Sequence, residues 1–80
     1  MKMFATELRD KMVMSAEGKY IGTLDNCVVD TNTGKVHHIL LYPAEDVDPS
    51  GYRQDSQGRI VLPFNKVKSA KDVIVLAPLD

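Results

Sequence analysis

Tyr20–Tyr42 reads YIGTLDNCVVDTNTGKVHHILLY, two extended segments rich in β-branched residues around Asp30-Thr31-Asn32-Thr33-Gly34. Val28 and Val29 lead into the link, and Val36, Ile39, Leu40, Leu41 and Tyr42 follow it. Asn and Gly tolerate positive φ, so the link can fold tightly back and make a β-hairpin. The first arm is long, and the rest of the chain is built around this hairpin.

The first arm has a phase conflict. Ile21, Cys27 and Val29 occupy odd positions, whereas Leu24 and Val28 occupy even ones. Strict alternation would send the two sets to opposite faces. Either a bulge between Gly22 and Asp25 resets the phase, or both faces are partly buried. The return arm is apolar on both faces through Ile39, Leu40, Leu41 and Tyr42, and such a strand needs cover on both sides.

Outward from the hairpin the segments are short. Before it, Met1 to Lys11 offers one helical turn capped by Thr6, with Phe4 and Leu8 on one face to plug an end of the core. Met12-Val13-Met14 is a short strand, and Ala16 to Lys19 a turn. After it, 43–58 holds Glu45, Asp46, Asp48 and Asp55 against Arg53, with Pro49, Ser50 and Gly51 among them, which predicts a mobile acidic loop. Strands resume at Arg59–Phe64, where Pro63 marks an end or an edge, then briefly at Lys66–Lys68. Ser69 to Asp72 turns, and Val73–Leu76 is the last strand. Five or six short strands with almost no helix predict an all-β fold, a small antiparallel barrel with one N-terminal helical turn, in a single domain over 1–80.

Bulk properties narrow the function classes. A chain of 80 residues buries only about 60–65% of its unfolded surface, so its core is small. Ten basic against 11 acidic residues argue against duplex nucleic acid or an anionic membrane as a dominant electrostatic partner. The single cysteine, Cys27, excludes an intrachain disulfide and fits a reducing setting. No apolar run approaches the ~20 residues that span a bilayer, and MKMFATELRD becomes charged too soon for a signal peptide. The expectation is a cytoplasmic protein with no membrane insertion.

The order of segments resembles the PRC-barrel family, known from the H subunit of the photosynthetic reaction centre and the C-terminal domain of RimM. The resemblance rests on Thr6-Glu7-Leu8, Val13, Glu17-Gly18-Lys19-Tyr20-Ile21-Gly22, Asp25, Asp30, Gly34-Lys35-Val36, Leu62-Pro63-Phe64, Val67 and Val73-Ile74-Val75-Leu76. It departs at Asp10, where the family pattern implies glycine before the first strand, and in the long acidic loop. The resemblance implies a binding module without catalytic residues or cofactor. Stand-alone domains of this size are similar to archaeal members implicated as cell-division adaptors. The RimM resemblance implies the alternative, an RNA- or ribosome-associated factor.

Candidate chemistry is sparse. His37 and His38 are adjacent on a strand and point to opposite faces, so they cannot easily share one ion. Asp46 to Gly51 imitates the first half of a calcium loop, but the twelfth position is Gln57 rather than a bidentate carboxylate. Asp25 and Asp30 diverge on one strand, and Asp30 suits a turn cap. Cys27 has no neighbour motif that would activate it. Lys66, Lys68 and Lys71, with Arg59, form a mild basic cluster, a nucleic-acid patch in the alternative reading, with only Phe64 near for stacking. No catalytic, metal or cofactor set is expected. Strands apolar on both faces without a covering helix predict an interface, a two-fold homodimer, through Val29, Ile39, Leu41, Val73 and Val75.

Overall fold

A computed structural model describes residues 9–78. Of the helical turn expected over Met1 to Lys11, the Thr6 cap and the Phe4 and Leu8 positions lie outside the described residues. The hairpin forms from β2 (Tyr20–Val29) and β3 (Val36–Pro43). Its link closes as the turn chemistry requires. Asp30 Oδ1 accepts from the Asn32 N–H at 2.8 Å and the Thr33 N–H at 3.2 Å, and Gly34 takes φ +74°. The remaining strands are β1 (Met12–Met14), β4 (Ile60–Pro63), β5 (Val67–Ala70) and β6 (Ile74–Leu76). Pro63 ends β4, and a 3-10 turn over Phe64–Lys66 leads to β5. β5 runs to Ala70, beyond the brief strand and early turn expected there, because Ala70 is buried in the core.

One sheet orders the strands β4-β3-β2-β1-β6-β5 and curls into a half-barrel. Every neighbouring pair is antiparallel except β1–β6, which is parallel with Val13 opposite Ile74. A parallel pair needs a long connection, and here the rest of the sheet lies between the two strands in sequence. β4 and β5 end the order and meet through the Phe64–Lys66 turn rather than through a ladder.

The phase conflict in β2 resolves as a bulge. Leu24 pairs with Leu41 and Asn26 with Leu40, which leaves Asp25 as the extra residue. After the bulge Cys27 pairs with Ile39, so Leu24 and Cys27 serve the same inner face. Val13, Leu24, Ile39, Leu41, Ile60 and Leu76 have no accessible surface. Each such side chain stabilises the fold by about 1.5–3 kcal/mol in transfer terms. The acidic stretch 43–58 is tied to this core. Val47 is buried in it, and the Val61 N–H donates to Arg53 O at 2.8 Å.

Candidate interaction surface

The inner face of β3 belongs to Ile39 and Leu41, so its outer face presents His38, Leu40 and Tyr42. The ladder extends this outer row across the sheet. Thr23 stands opposite both Met12 of β1 and Tyr42, Leu40 lies opposite Val61, and His38 lies between Val28 and Pro63. Met12, Val28 and Tyr42 are 46%, 45% and 48% exposed, and Leu40, Val61 and Pro63 are half-buried. The row also carries polar residues: the Thr23 hydroxyl is engaged by the Tyr20 hydroxyl at 2.8 Å, Asn26 opposite Leu40 accepts from the Cys27 N–H through its Oδ1, and His38 is half-buried. Among the described residues no helix of seven or more residues lies over this face. Aromatic and Met side chains in such a row are the types enriched at protein interfaces.

This geometry corrects part of the sequence expectation. Ile39 and Leu41 are in the core and have no surface to offer a partner. The chain had to place either 39 and 41 or 40 and 42 inside, and a one-residue shift exchanges the two sets. The Asp25 bulge sets the phase by putting Leu24 against Leu41. Val29 is exposed beside the hairpin end, whereas Val73 and Val75 are half-buried. Val75 pairs with Met14 at the far side of the sheet. Leu40, Tyr42, Met12 and Val28 were missed as surface residues, and strand parity was the missing information.

A second feature missed by sequence is the clamp around Arg59. Its Nη1 donates to Asp25 Oδ2 and its Nε to Asp55 Oδ2, both at 2.7 Å, with only 13% of the side chain exposed. The bulge thus aims Asp25 at the turn that precedes β4. Asp55 Oδ1 also accepts from the N–H groups of Gln57 and Arg59. Burial works to raise the Asp55 carboxyl, but the Arg59 and Gln57 hydrogen bonds outweigh it and hold the group below its ordinary range. Arg59 is consumed here and does not join the basic cluster. The sequence signal available was Asp55 four residues before Arg59 with Gly58 between them, a turn pattern.

Lys66 lies just before β5, Lys68 on it and Lys71 just after it. Lys11 joins them, its Nζ donating to Lys71 O at 2.5 Å. Phe64 packs against the core, which removes it as a stacking platform for a base. His37 is exposed with Nε2 3.4 Å from Asp30 Oδ2, and His38 is half-buried in the outer row. Asp30 is held below the ordinary carboxylate range by the Asn32 and Thr33 amides and by His37. Asp48 caps the Pro49–Gly51 turn through the Ser50 N–H. Cys27 packs against the core, and burial pushes its thiol up, away from the reactive thiolate. Among the described residues no three His, Cys, Asp or Glu side chains converge as metal ligands would, and no helix is long and apolar enough to cross a membrane.

Comparison with known proteins agrees with this architecture. The family model described as PRC-barrel domain matches residues 1–80. No curated protein matches the chain.

Proposed function

Since the chain belongs to the PRC-barrel family, small β-barrel modules of a non-catalytic, interaction-mediating type, we propose that it is a protein-binding adaptor that self-associates through the outer face of its sheet. The observation that carries this is the exposed row Met12, Val28 and Tyr42, continued by Leu40 and Val61. Val29, Val73 and Val75 lie outside this row. An apolar face of this kind is the feature that marks interaction sites on small domains. A two-fold axis through it sets the row against its own copy, the commonest way for such a surface to be buried.

The cellular context we propose is cytoplasmic, in archaeal cell division, and its support is the resemblance to single-domain members of the family. The rival reading, an RNA- or ribosome-associated factor, would rest on Lys66, Lys68 and Lys71. Phe64, the aromatic nearest those lysines in sequence, packs against the core, which weighs against it.

Sedimentation equilibrium over a wide protein concentration range tests the self-association. A dimer is expected, converted to monomer by Tyr42→Asp with Val28→Asp while the circular dichroism spectrum is retained. A wild-type protein that stays monomeric throughout ends the proposal. In lysate pull-downs, partners retained at high salt and lost with the same variant support the adaptor role, whereas RNA that washes away with salt supports the rival.

A further inference from the structure

The two ends of the sheet are treated differently by the chain. On β4, the free edge is covered from within: Gln54 bridges to Ile60, and the Val61 N–H donates to Arg53 O. At the other end, β5 has a single strand neighbour among the described residues, β6. An edge strand of this kind carries backbone donors and acceptors that a further strand can satisfy.

The charge along this edge is one-sided. Lys66 lies just before β5, Lys68 lies on it and is exposed, and Lys71 follows it, with Lys11 held at its end through Lys71 O. None of Lys66, Lys68 and Lys71 is in an ion pair among the described residues. Over 64–78 the only carboxylate is Asp72, while Glu45, Asp46 and Asp48 belong to the stretch between β3 and β4. Lysines on an edge oppose pairing with an identical edge, because two such rows would face each other with like charge. They do not oppose a strand of the other sign.

From this we infer that the β5 edge is a docking site for an extended acidic segment of a partner protein, which adds to the sheet as a further strand beside Val67–Ala70. Backbone hydrogen bonds along β5 hold the segment. Lys68 stands at a register shift within the strand, with Lys66 just before it and Lys71 just after it, so carboxylates along and beyond the paired stretch meet these lysines. The charges set which partner is accepted and speed its arrival, and the backbone ladder supplies register. This explains the basic cluster without nucleic acid. The surface is separate from the outer row of β1–β4, so each can fail without the other.

The test uses the full chain and a fluorescent peptide of about ten residues that alternates glutamate with valine. Two controls accompany it: the same peptide with proline at every second valine, and a single-stranded oligouridine. Anisotropy is expected to show binding of the alternating peptide that weakens with salt and falls about tenfold or more in Lys68→Glu. The proline peptide is expected to bind at least about tenfold more weakly, because proline cannot donate to the ladder. Amide exchange at Val67–Ala70 is expected to slow only with the alternating peptide. Lys68→Gln, which removes charge without reversing it, gives an intermediate loss and guards against a misfolded variant. Equal binding of the two peptides, stronger lysine-dependent binding of oligouridine, pairing of β5 with a second copy, or no binding to any probe would each overturn the inference.

Discussion

At the scale of single residues, the backbone makes the clearest demands at Asp10 and Gly22. Asp10 has φ +67°, the left-handed region that glycine enters freely and aspartate tolerates. That is the physical reason the family pattern implies glycine there. Gly22 has a stricter role: a Cβ on it would stand 2.2 Å from Tyr42 O. Backbone cannot retreat as a flexible side chain can, so Gly22→Ala should cost at least about 2 kcal/mol in urea unfolding. A variant as stable as wild type would show that β2 and β3 separate there at little cost. The capping carboxylates set the acid limb of stability. Asp30, Asp48 and Asp55 are all held below the ordinary range in the fold, chiefly by hydrogen bonds to the ionised form. The unfolded chain therefore takes up protons first as the solution is acidified. Stability from these groups is complete above about pH 4 and is lost as pH falls through the lower folded values. Urea midpoints measured from about pH 6 to about pH 3 should fall, and Asp30→Asn should flatten that fall. An unchanged pH slope in Asp30→Asn would remove Asp30 from the account.

At the scale of elements, the hairpin was legible and its phase was not. The link Asp30–Gly34 carries its own turn chemistry, so local residues suffice to place β2 and β3. A strand apolar at four successive positions, Ile39 to Tyr42, contains no local instruction about which pair goes inside. That instruction is tertiary. It comes from the Asp25 bulge, which the position conflict of Ile21, Leu24 and Cys27 foreshadowed, and from the clamp that Asp25 makes with Arg59. The parallel β1–β6 pair is a second tertiary fact, since nothing in three-residue strands announces a neighbour so distant in sequence. The two pairs on β3 should behave oppositely. Ile39→Ala removes a fully buried side chain and should cost about 2–5 kcal/mol without altering association of the molecules that remain folded. Tyr42→Ser should leave the unfolding midpoint of the monomer nearly unchanged and weaken association. Reversal of these outcomes would put the parity of β3 in error.

On the scale of the whole molecule, the sheet is curled far enough to bury one face, and among the described residues Met12, Val28 and Tyr42 on the other stay exposed. Its interior is filled by side chains from all six strands, among them Val13, Leu24, Ile39, Ile60, Ala70 and Ile74. Among the described residues no polar or charged residue is buried there. The two surfaces proposed for function are on the outside: the row across β1–β4 and the lysine-lined edge on β5. Self-association depends on the first. It is tested most directly by a dilution series of ¹⁵N-labelled protein, read as amide chemical shifts residue by residue. Concentration-dependent shifts are expected, centred on Met12, Thr23, Val28, Leu40 and Tyr42, with the core strands' inner positions moving little. Spectra that do not change with concentration, or changes confined to residues away from that row, would contradict it.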